Sequence, residues 1–75
     1  MSNWEWEYKS NPQRWTITVG IWVATVQRVG SVRYLWQASI EHITEPSNRY
    51  AGPTDKDAMI GRTWCLRKIA ELRAQ

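Results

Sequence analysis

The 75-residue chain contains no Phe, one Cys and one His. A lone Cys excludes a disulfide framework, and one Cys with one His excludes an ordinary zinc site, so no metal or other cofactor is expected. No apolar stretch approaches the roughly 20 residues of a membrane-spanning helix, and the mean hydropathy of -0.57 with 23% charged residues argues against both a membrane protein and a disordered tail. There is no run of like charges, which excludes an electrostatic arm for nucleic acid. Internal repeats and low-complexity segments are absent, and Gly30, Gly52 and Gly61 do not form a phosphate-binding spacing. The polar, acidic N-terminus is not expected to act as a secretory signal. The unpaired Cys65 fits a reducing cytoplasm.

Aromatic rings and arginine are what the chain has in abundance. Six Trp and three Tyr are present, and the net charge is +3 with a pI near 9.4. Seven of the ten cationic residues are Arg, namely Arg14, Arg28, Arg33, Arg49, Arg62, Arg67 and Arg73. Arg suits planar, bidentate contacts to carboxylate or phosphate and is common at interfaces. A chain of this size buries only about 60% of its unfolded surface, so large rings are useful simply as core filler.

Hydropathy periods predict strands through the first half. Trp4, Trp6 and Tyr8 alternate with Glu5, Glu7 and Lys9, and Trp15, Ile17 and Val19 alternate with Thr16 and Thr18. A period of two with aromatic and β-branched residues marks strands with one apolar face. Ser10 to Gln13 reads as a turn around Pro12. At Gly20 the apolar phase shifts to Trp22, Ala24 and Val26, which a bulge or a tight bend would produce. Arg28 to Ser31 reads as a hairpin turn, followed by a strand with Val32, Tyr34, Trp36, Ala38 and Ile40 on one face and Arg33, Leu35, Gln37, Ser39 and Glu41 on the other. Residues 42–53 read as a loop, with a short edge strand at Arg49 to Ala51.

The C-terminal segment, residues 54–73, reads as a helix. Thr54 with Asp57 three residues on resembles a capping box, and Asp55 would favour the positive end of the helix dipole. Ala58, Gly61, Cys65, Ile69 and Leu72 fall on one narrow stripe flanked by Arg62 and Lys68. The small residues on that stripe call for bulky partners such as Trp22, Tyr34 and Trp36. The expected fold is therefore α+β: one domain over residues 1–75, an antiparallel meander of three to five strands with a single C-terminal helix on one face.

Catalytic residue types are sparse. His42 has no visible partner set and reads as a solvated strand-end residue. Cys65 reads as a small apolar core residue, and capping and the helix dipole account for Asp57 and Asp55. No catalytic residue is assigned, and the chain is expected not to be an enzyme. Trp and Arg are enriched at binding hot spots. Trp64 lies about 100° around the helix from the stripe centre, and Trp4, Trp6 and Trp64 read either as core or as interface. The candidate partner contacts are Trp64, Arg67 and Arg62 on the helix and Arg33, Leu35 and Gln37 on the sheet face away from it.

Residues 21–41 followed by Gly52-Pro53-Thr54 and a helix through Ala58 are similar in shape to strand-strand-strand-helix proteins, including HicB-type antitoxins, double-stranded-RNA-binding-like domains and many small phage or prophage proteins. The short, Trp-rich chain without a catalytic set also resembles anti-CRISPR inhibitors. That resemblance implies a phage or mobile-element binding protein that sterically occludes a bacterial defence (CRISPR-Cas) complex in the cytoplasm of a bacterial host cell. The alternative is a small nucleic-acid-binding protein using Arg28, Arg33, Arg49, Arg62, Arg67 and Arg73, whose affinity would fall by about 0.9 in log K per phosphate contact per decade of salt. The expected partner is a protein, with nucleic acid as the alternative and no membrane, and the expected assembly is a monomer or an edge-paired homodimer.

Overall fold

A computed structural model describes residues 6–30 and 35–75. Five strands precede one helix: β1 (Glu7–Lys9), β2 (Arg14–Val19), β3 (Trp22–Val29), β4 (Leu35–His42), β5 (Arg49–Asp55) and α1 (Ala58–Arg73). All strands join one antiparallel sheet in chain order, β1 to β5, and α1 packs across β3, β4 and β5. This is the expected α+β meander with a covering helix.

The alternating strands bury one face. Ile17 and Val19 from β2, Trp22, Ala24 and Val26 from β3, and Ala38 and Ile40 from β4 form the core together with Cys65 and Ile69 of the helix. Trp15, Trp36, Tyr50 and Trp64 pack around it partly buried. The apolar face deduced from alternation is thus the face under the helix.

Gly20 makes a tight turn. Val19 pairs with Trp22, leaving Gly20 and Ile21 as a two-residue loop. Gly20 has φ 63° and Ile21 does not adopt a positive φ, the arrangement a type II′ hairpin turn requires of its first residue. The phase shift arises because two loop residues separate the strands.

Several boundaries differ from expectation. β1 is three residues long, and Trp6 precedes it while packing against the core. Trp4 and Glu5 of the predicted first strand lie outside the described residues. So do Ser31, Val32, Arg33 and Tyr34. β3 continues through Arg28 and Val29, with Val29 opposite Leu35, so the predicted turn begins two residues too early.

The largest correction concerns residues 42–57. Arg49–Asp55 is a seven-residue edge strand where mostly loop was expected. Pro and Gly are tolerated there because the strand is an edge and its pairing carries an irregularity between Gln37 and Ser39. Thr54 is consequently a strand residue opposite Gln37, and the helix starts at Ala58 rather than Thr54. Asp57 is the N-cap: its Oδ1 accepts from Met59 N–H at 2.9 Å, while its own N–H donates to Asp55 Oδ1 at 2.9 Å. Arg73 occupies the last turn, where the dipole favours a cation.

The residues of the helical stripe are as predicted, but the large ring expected against its small residues is not what Gly61 meets: its neighbours are Val26 and Ala38, and the expected partner Tyr34 lies outside the described residues. Gly61, Cys65 and Ile69 are buried, with Ala58 and Leu72 packed at either end. Gly61 sits over the centre of the sheet. A Cβ there would lie 3.1 Å from a Val26 methyl and 3.2 Å from Ala38 Cβ, and Val26 and Ala38 are both fully buried. Ala gains about 1 kcal/mol over Gly in a helix interior, but forcing a methyl into a packed core costs about 1–3 kcal/mol. Gly61→Ala is expected to lower unfolding stability by about 1 kcal/mol on balance. Urea titration checks this, and a variant more stable than the parent would show that the helix can lift without cost.

Candidate docking site

The two flanks of α1 are fastened differently. On the β2 side, the Arg62 guanidinium lies 4.6 Å from the centre of the Trp15 ring, and Trp15 in turn meets Tyr8 at 4.8 Å between ring centres. Arg62 also donates to Met59 Sδ at 3.8 Å, and its Nε is buried without a hydrogen-bond partner among the described residues. On the β5 side, Lys68 Nζ lies 5.0 Å from the Tyr50 ring centre. The Trp64 indole covers Gly52 so closely that a Cβ at Gly52 would come 2.5 Å from its ring.

Gln37 helps position Gly52. Its Nε2 donates to Gly52 O at 2.9 Å and to Ala38 O at 3.0 Å, and its Oε1 accepts a hydrogen bond from the Thr54 hydroxyl. These bonds span the irregularity between β4 and β5, so the side chain stands in for ladder bonds that the backbone does not make there. The β5 backbone is thereby held beneath Trp64.

An open groove of about 860 Å³ lies along this flank, lined by Pro53, Ile60, Thr63, Trp64, Arg67 and Lys68, with Glu71 near one end. Ile60, Trp64, Arg67 and Glu71 follow one another at spacings of four, three and four, which aligns them along one side of the helix. Ile60 is 47% exposed and Arg67 is exposed, whereas Trp64 is half-buried. The Arg67 side chain has neither an ion pair nor a hydrogen bond among the described residues.

The five predicted contact residues that are described therefore do not form one surface. Trp64 and Arg67 meet in the groove. Arg62 is held over Trp15 on the opposite flank. Leu35 and Gln37 project from the sheet face away from the helix, where Leu35 is half-buried opposite Val29 and Gln37 is occupied by its internal hydrogen bonds. Arg33 lies outside the described residues. Sequence reasoning missed Ile60, Pro53 and Lys68. Ile60 carries the readable signal: an aliphatic residue one turn before Trp64 and off the buried stripe.

His42 lies beside the core, edge-on to Trp22 at 5.5 Å between ring centres, and its Nδ1 accepts from Thr44 N–H at 3.2 Å. No group of three or more His, Cys, Asp and Glu is gathered among the described residues, and among them no helix is long and apolar enough to cross a membrane. The chain matches no protein-family model, no curated protein and no solved structure.

Cys65 is fully buried, and burial pushes its thiol up from 9.0 to about 12, the backbone at Ser39 opposing part of the rise; the protonated thiol donates weakly to Ser39 O at 3.7 Å. The thiol is neutral at pH 7 and shielded, as the core reading requires. Below pH 9 it is protonated in folded and unfolded chains alike, so its contribution to stability is complete there. Between pH 9 and about 12 only the unfolded chain ionises, so that contribution is lost. Stability is expected to fall more steeply above pH 9 in the parent than in Cys65→Ala, by up to about 1.4 kcal/mol per pH unit. Denaturant titrations at pH 8, 9 and 10 compare the slopes, and parallel slopes would refute the assignment.

Proposed function

We propose that this chain is a non-enzymatic protein-binding module that docks a partner through the groove between α1 and β5. The observation carrying this reading is the exposed Ile60 beside the Trp64 indole, with the uncommitted Arg67 guanidinium on the next turn of the same helix side. Aromatic and aliphatic anchors flanked by Arg are the chemistry of interface hot spots. The rigid floor beneath them favours binding, because little side-chain freedom remains to be lost at Trp64. The resemblance to small phage-encoded inhibitors suggests a specific role. By seating this groove on a bacterial defence complex, CRISPR-Cas assemblies included, the domain would block access to it sterically.

The nucleic-acid alternative has less support. Of the arginines it requires, Arg28 is bonded to Gln13 and Arg62 is held over Trp15, so they are not gathered with Arg67 on one face.

The test is a stoichiometric complex rebuilt from purified components after affinity capture from bacterial cells. Ile60→Glu, placed at an exposed position outside the core, is expected to weaken that complex by about a hundredfold while leaving the far-UV circular dichroism unchanged. A complex indifferent to Ile60→Glu and to Trp64→Ala would overturn the reading. So would tight DNA binding with a steep salt dependence and no protein partner.

A further inference from the structure

The groove also indicates what kind of segment it takes. Resting on the docking reading above, we infer that the groove binds a short segment of a partner protein in which an acidic residue adjoins an aliphatic one. The apolar part of the groove, Ile60, Trp64 and the Pro53 ring, is contiguous and large enough for an aliphatic side chain. Arg67 and Lys68 stand next to it, with Glu71 the one acidic residue in the lining. Lys68 has its ammonium over the Tyr50 ring, and that contact offers no carboxylate. Arg67 is unengaged among the described residues, so its planar fork can take a carboxylate in bidentate fashion. Glu71 sets the polarity. A carboxylate is repelled at its end of the groove and attracted one turn earlier, so the acidic residue has a fixed place relative to the aliphatic one.

Pro53 bears on how the segment is held. It lies in the edge strand β5 and has no N–H to offer an added strand. Recognition at this point therefore goes through side chains in the groove, and not through extension of the sheet ladder. The outward aliphatic anchor and the free cation supply that recognition together, and neither is needed by the core.

Three fluorescein-labelled twelve-residue peptides test the inference by anisotropy: one alternating Leu and Asp, one alternating Ala and Asp, and one alternating Leu and Lys. The Leu-Asp peptide is expected to bind and to shift the Trp64 indole N–H resonance, with the other two weaker by about tenfold or more. Arg67→Glu is expected to reverse the order, so that the Leu-Lys peptide binds best. Equal binding of the Leu-Asp peptide by the parent and Arg67→Glu would overturn the inference, as would displacement of that peptide by a twelve-nucleotide single strand. If partner capture still depends on Ile60 while the peptides ignore Arg67, the acidic segment is wrong and the docking reading stands. If capture ignores Ile60 and Trp64 as well, both fall.

Discussion

The rest of the molecule depends on how closely α1 lies against the sheet at Gly61. The helix backbone there rests on Val26 and Ala38 with no side chain of its own between. This close approach lets Cys65 and Ile69 reach full burial one and two turns later. It also lowers the helix flanks far enough for Arg62 to reach Trp15 and for Trp64 to cover Gly52. A longer residue at the contact would lift the whole rod and loosen both flanks together.

The two flanks then take on different characters. On the β2 side, the Arg62 guanidinium lies over Trp15, and Trp15 meets the tilted Tyr8 ring. On the β5 side, the filler is a Trp laid over a backbone with no Cβ, and its outer edge remains accessible beside Ile60. Gln37 links this flank to the far side of the sheet: its amide braces the β4–β5 irregularity from below, and the braced strand supports the indole above. The asymmetry puts the candidate site on one flank, where a rigid floor meets unsatisfied apolar and cationic groups.

Much of the fold was legible because its signals are local. Strict alternation at Trp15 to Val19 and at Trp36 to Ile40 fixes which face is buried, and the Gly61-Cys65-Ile69 stripe fixes which side of the helix meets it. The boundary between β5 and α1 was not legible, because Thr54 and Asp57 are both good caps. What decides between them is a long-range partner, Gln37, which draws Thr54 into the sheet. The site was half legible for a similar reason. Helix spacing places Trp64 and Arg67 on one side, but nothing in the local sequence says that Gly52 will pass beneath the indole. Nor does alternation reveal that Gln37, on a face that reads as free, is committed to its neighbours.

The sheet follows chain order from β1 to β5, so each strand finds its mate in the segment just made. Such local pairing favours rapid folding. The rod that covers the apolar face, however, comes after all five strands. As the chain leaves the ribosome, Val26, Ala38 and Ile40 emerge ahead of Ile69, the residue that covers them. A sheet that lacks its rod presents those side chains bare, the kind of surface that chaperones attend to.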